Sequence, residues 1–306
     1  MRQQGAYLYS AAAHLWRAEE TGPPDLKPLL HTAWGRRFRR VNHFIELALI
    51  GVKSCVDRSP IPVRSDCDLY LATEHGNVAD VAKITAALFQ RRELPMPLEF
   101  INVPNNMAGF YVAQELALHS ANLTIAHRAF AFETALDLAL FNLTTSRKPD
   151  PCALVGSVEA CAYPLAQHRQ RLRLAAGTPL TEGSSWLYMG GDATGARARC
   201  HWVTFFPDEA SLLSFLKREA FTSATYLAGS GHLEGAQLDK LSADLGLHHR
   251  YGDHSLDTSH ETHCAATLTS FITDHPGASL LHINRERQGR YAVVYLSTIN
   301  GCGAIS

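Results

Sequence analysis

The stretch TIAHRAFAFETALDLAL, residues 124–140, and, after a spacer, ALVGSVEA, residues 153–160, decide how the remaining chain is read. Residues 122–130 (NLTIAHRAF) read as a strand running into a turn. Residues 129–143 are apolar on nearly every side, which predicts a buried helix. Residues 152–158 (CALVGSV) lack the polar alternation of a half-exposed strand, so both faces of that strand are expected to be covered. Strand, corner, helix and buried strand in succession imply an α/β fold.

The alternation continues outward from this block. Residues 6–13 and 68–73 read as strands, 20–29 as a Pro-rich loop and 36–52 as a buried helix with a basic start. Residues 78–91 form an amphipathic pattern with Val78, Val81, Ile84, Leu88 and Phe89 on one side, and 107–118 a further helix. In the second half, SSWLYMG (184–190), CHWVTFF (200–206) and RYAVVYLS (290–297) read as strands. Helices are expected at 208–217, starting near Asp208, and at 235–245 and 264–274. A Gly-rich turn at 229–235, a His-rich turn at 251–263 and a frayed tail at 300–306 complete the reading. Helices therefore cover both faces of the sheet.

Composition narrows the function. Lys plus Arg number 28 and Asp plus Glu 29, a net charge of -1. A general nucleic-acid binder needs a surplus of cations to neutralise phosphates, so no nucleic acid is expected as a partner. With 46% hydrophobic and 19% charged residues, the acidic disordered class is excluded. The 306 residues suffice to bury a core without a disulfide or metal staple. The seven cysteines are odd in number, scattered and free of any CxxC pair, which reads as ordinary cytosolic thiols. The first twenty residues lack a signal-like apolar run, and no run of about 18 apolar residues follows, so a cytoplasmic protein without a membrane span is expected.

The quoted block resembles the β-ketoacyl synthases of the thiolase superfamily. In that family a strand ends at a nucleophilic Cys, the next helix starts there, and a buried strand of the form hhhGGhE follows. Upstream, INVPNNMAGFYVAQELAL (101–118) is similar to the family's S-N-x-x-A-G segment and helix. Downstream, LTEGSSWLYMGG (180–191) is similar to its G-E-G-A strand. The resemblance is closest over 35–192 and looser over 193–306. It implies a thiolase-like αβαβα layered sandwich, shortened in the second half, in one domain (1–306) of two pseudo-repeated halves, about 1–175 and 176–306.

Carried over residue by residue, the resemblance removes the catalytic groups. The nucleophile position, five residues after Thr124, is Ala129, between Arg128 and Phe130. A methyl group forms no acyl-enzyme, and Phe130 crowds the space an oxyanion hole would need. The family's first His falls on Ala228 and its Lys on Ser255, while the second His persists as His260. The Gly-rich loop before the last strand is reduced to Gly289. The resemblance thus implies a non-catalytic chain length factor that needs no cofactor. Such a subunit pairs with an active ketosynthase in a heterodimer, shapes the tunnel of the growing chain and meets an acyl carrier protein through the complex. The likeness is greatest to factors of aryl polyene and xanthomonadin-type type II polyketide pathways, with fatty-acid-like synthesis as the broader class. On this reading Arg128, Phe130 and Phe132 line the pocket. Asn105, Asn106, Met107 and the strand Asn122, Leu123, Thr124, Ile125 and Ala126 form the dimer interface.

Other features have plainer readings. Phe130 and Phe132 are also what an ordinary helix packs into a core. Glu159 and Glu182 read as buried structural carboxylates that require N–H partners. His254, His260, His263 and Cys264 carry zinc-type donors, but HETHC is not the HExxH pattern and no metal is expected. Cys264 with His260 or His263 as base keeps open a stand-alone acyltransferase or thioesterase, and a scaffold or sensor on the same fold is a third possibility. The run RRFRR (36–40) suits an acidic carrier protein or simply a solvated helix start. The segment GSGHLEG (229–235) lacks the Lys-Ser/Thr of a phosphate loop, so it reads as a turn.

Overall fold

Side-chain alternation on strand β2 (Asp68–Thr73) separates two cores. Leu69 and Leu71 enter one with helix α2 (His43–Asp57), whereas Tyr70 and Ala72 enter another with helix α5 (Ala131–Thr145). The computed structural model describes residues 5–96, 100–233, 235–252 and 263–300.

The first half contains β1 (Ala6–Arg17), α1 (Lys27–Trp34), α2, β2, α3 (Val78–Thr85), α4 (Asn106–Glu115), β3 (Asn122–Ala126), α5, β4 (Cys152–Glu159), α6 (Leu165–Leu172) and β5 (Thr181–Gly190). The helix α3 runs on as a π-helical turn, Ala86–Arg91. The second half contains β6 (Ala198–Phe206), α7 (Glu209–Leu216), β7 (Thr225–Gly231), α8 (Gly235–Leu245), β8 (His249–Arg250), α9 (His263–Asp274), β9 (Ser279–Arg285) and β10 (Tyr291–Thr298).

The strands follow the order β3-β2-β4-β5-β1-β6-β10-β9-β7-β8. From β1 outward the pairings run antiparallel, antiparallel, parallel, parallel, and from β6 outward the same series recurs. Strands β1 to β5 and β6 to β10 therefore repeat one topology, and they divide in the segment 191–197. Among the described residues the two strand sets pair where Ala6, Tyr7 and Leu8 meet Cys200, Arg199 and Ala198.

Three large apolar clusters give the layers. Helices α5 and α9 share the central cluster with residues from both strand sets. Helices α1 and α2 cover the outer face of the first set, and α7 and α8 that of the second. Helix, sheet, helix, sheet, helix is the layered thiolase-like sandwich the sequence implies. In β4, Gly156 lies flat under the Trp186 ring, which a Cβ would strike. That close approach explains the glycine inside a fully buried strand.

Several local expectations need correction. The basic run 36–40 lies outside α2: Asn42 caps that helix, its Oδ1 accepting from the Ile45 N–H at 3.0 Å. Arg40 has φ 63°, a left-handed conformation, so it is not a turn of that helix. The apolar side of 78–91 is only partly covered within the chain: Val78 is buried and Ile84 half-buried, whereas Val81, Leu88 and Phe89 are exposed, Phe89 by 79%. Residues Gly229 to Gly231 are the end of β7, not a turn. The sequence reading assigns no element to α1, α6 or β9. The tail 301–306, Ser255, His254 and His260 lie outside the described residues.

Candidate functional site

The corner between β3 and α5 is built by residues 127–130. Phe130, immediately before the helix, adopts φ 60° and ψ 29°. A left-handed residue with a Cβ costs about 1–2 kcal/mol. Burial offsets that cost, because Phe130 is 6% exposed and its ring lies 6.1 Å from that of Phe205, centroid to centroid. Its carbonyl accepts from the Thr134 N–H at 2.8 Å and opens the helix. Ala129 lies one residue earlier in the same corner, and its carbonyl accepts from His127 Nδ1 at 2.7 Å. His127, Arg128, Ala129 and Phe130 offer neither a thiol nor a hydroxyl. Arg128 is exposed, and Phe132 is packed into the central core.

Near this corner a few polar side chains enter the otherwise apolar central layer. Glu133 projects from the first turn of α5 and Cys264 from the first turn of α9, while His282 and Asn284 come from β9. One ligand-type atom each from Glu133, Cys264 and His282 lies within 4.8 Å of the other two. Asn284 Nδ2 donates to Glu133 Oε1 at 2.7 Å. The Cys264 sulfur lies within 4.8 Å of a Glu133 carboxylate oxygen. Among the described residues neither nitrogen of the fully buried His282 has a hydrogen-bond partner, nor has Ser230 Oγ. Ala228 faces the same layer and stands in register with His282, as Ser230 does with Asn284.

Burial dominates the titration of all three groups. It pushes Glu133 up, against the hydrogen bond from Asn284. It holds the Cys264 thiol well above its usual range, reinforced by the charge of Glu133. It lowers His282 to about 3, helped by His263. A buried, protonated thiol beside a carboxylate is the opposite of an activated nucleophile. His263 is instead engaged with Thr267, Nδ1 to Oγ1 at 3.0 Å.

Sequence reasoning missed Glu133, His282 and Asn284. Its signals were a carboxylate in the first turn of an apolar helix and two polar residues two apart in LLHINR, which places them on one strand face.

The two structural carboxylates hold backbone as expected. Glu159 accepts from Thr73 Oγ1 at 3.0 Å, from the Glu74 N–H and from the His75 N–H at 3.3 Å. Glu182 Oε2 accepts from the Cys161 N–H at 3.0 Å, and its Oε1 from His43 Nε2 at 2.9 Å. A groove of about 530 Å³ is lined by Lys27, Leu30, His31, Arg37, Phe38 and Glu46 among others, none of them from the corner.

Strand β3 is one rim of the sheet and, among the described residues, pairs with β2 alone, in parallel. Asn122 and Ala126 are exposed on it, Leu123 is 44% exposed, and Thr124 and Ile125 are half-buried. The helices α4 and α5 pack beside it and expose Phe110 (51%) and Phe141 (49%). Asn106 is exposed, Met107 packs on the outer core, and Asn105 Oδ1 accepts from the Asn77 N–H at 3.0 Å.

No protein-family model and no curated protein sequence matches the chain. Solved structures do. The chain is similar to the ishigamide ketosynthase/chain length factor with a TM-score of 0.74 at 17% identity, covering 97% of this chain and 100% of that one. It is similar to AntDE:AntF, a type II polyketide acyl-carrier protein in complex with its ketosynthase, with a TM-score of 0.70 at 10% identity over 97% and 100%. OleA of Xanthomonas campestris follows at 0.57 and 10% over 97% and 99%. At these identities the likeness establishes the thiolase-like fold.

Proposed function

We propose that this chain is a non-catalytic chain length factor of a type II polyketide ketosynthase. The observation that carries the reading is the strand-to-helix corner, where Ala129 and Phe130 stand in place of a nucleophile. The likeness to a ketosynthase/chain length factor structure supports it. The chain acts as one domain of two halves, in the cytoplasm, and contributes shape to the chamber of an active ketosynthase. Arg128, Phe130 and Phe132 set the closed end of the acyl tunnel. The carrier protein reaches the complex with its chain, and the product is of the aryl polyene or xanthomonadin kind. Among the described residues no helix is long and apolar enough to cross a membrane, which is compatible with this assignment.

Pairing runs through the β3 rim. An unpaired strand edge flanked by exposed apolar side chains is costly to leave in water, and a permanent partner would bury an obligate-class interface. The stand-alone alternative that uses Cys264 is opposed by the burial of that thiol. Co-expression with a ketosynthase carrying the Cys and both His residues tests the proposal. A 1:1 complex is expected, with acyl mass added only to the partner after incubation with a loaded carrier protein. An acyl adduct on this chain in intact-mass spectrometry overturns it.

A further inference from the structure

We propose that Glu133, Cys264 and His282 form a binding site for one divalent cation of borderline softness, Zn2+ foremost. One carboxylate oxygen, one sulfur and one imidazole nitrogen converge from α5, α9 and β9. Because the three lie no more than 4.8 Å apart, a point within about 2.8 Å of all of them exists. Zinc bonds to such donors run about 2.0–2.3 Å, so a contraction well under an ångström closes the site.

The polar accounting favours a cation over a plain hydrogen-bond network. His282 is fully buried with two unpartnered nitrogens, and leaving such a group unsatisfied costs about 1–3 kcal/mol. Coordination satisfies one nitrogen. Ser230 Oγ, unpartnered and on the neighbouring strand, offers an oxygen on the same face. Asn284 already fixes the Glu133 carboxylate, the part an outer hydrogen bond plays around metal ligands. A carboxylate and a thiolate together carry two negative charges, which one divalent ion neutralises in an apolar layer. The sulfur and imidazole donors disfavour Mg2+ and Ca2+. Glu133 belongs to the first half and the other two ligands to the second, so the ion would clamp the repeats together.

The test measures metal in the whole chain. After gel filtration in metal-free buffer, about one zinc per chain is expected by elemental mass spectrometry. Cys264→Ser and His282→Gln should each lower it at least about tenfold, whereas Cys200→Ser, which alters another buried thiol of the same core, should not. Where a variant fails to fold, X-ray absorption of the zinc-loaded wild type decides, with one sulfur among nitrogen and oxygen donors expected. Less than a tenth of a zinc per chain, both as isolated and after refolding with Zn2+, overturns the proposal. So does retention of metal in both ligand variants, or an absorption spectrum with no sulfur or with several.

Discussion

Ala228 and His282 stand side by side in register on the parallel β7–β9 pair, beneath the helices of the central layer. The alanine leaves room for the imidazole, and both are essentially inaccessible to solvent. Ala228→His would force a second ring into this space and bury a further polar group. A loss of about 2 kcal/mol or more is expected from urea unfolding, with no gain of condensing activity because the corner still lacks a nucleophile.

Phe130 combines a left-handed backbone with a buried ring. Phe130→Ala removes the ring and keeps the backbone cost, so it should destabilise by about 3 kcal/mol or more. Phe130→Gly loses the same ring but relieves the backbone. It should unfold at higher denaturant than the alanine variant, by about 1 kcal/mol.

The pair His43 and Glu182 makes stability depend on alkaline pH. Burial works against charge on His43, but its hydrogen bond to Glu182 and the negative charges of Glu182 and Glu46 outweigh it and raise its titration to about 9. The unfolded imidazole titrates near 6.5. The folded state therefore binds the extra proton between these values. The stabilisation is complete below about pH 6.5 and is lost as pH rises toward 9, about 3 kcal/mol in all. Unfolding curves at pH 6 and pH 9 should differ less for His43→Gln than for the wild type.

Leu123 tests the rim without touching a core. Leu123→Lys adds charge to an exposed edge position and should leave unfolding within about 0.5 kcal/mol of wild type. Loss of the ketosynthase complex in size-exclusion chromatography, with stability unchanged, is the expected result.

Gly156→Ala probes the sheet interior. The added methyl meets the Trp186 ring inside β4, and overpacking of about 1–3 kcal/mol is expected from thermal or urea unfolding.

The layers were legible because burial writes itself into periodicity. The apolar runs at 129–143 and 152–158 correspond to α5 and β4 within a residue or two. The polar cluster was not, because Glu133 of α5 is more than a hundred residues from its partners on α9 and β9, and β9 itself reads as a connector between a helix and the last strand. The pattern at 78–91 carried the opposite lesson. Its apolar stripe predicts burial, yet the chain itself leaves Val81, Leu88 and Phe89 uncovered, since hydrophobic spacing says that a face is to be covered without saying by what.

The two rims of the sheet are unequal. Strand β3 runs five residues, whereas β8, among the described residues, runs two. A head-to-tail stack of copies needs a full-length ladder at both ends, and here one end gives a neighbouring backbone almost nothing to grip. Open-ended growth along the sheet direction is disfavoured by the short end, so the architecture resists becoming a fibre.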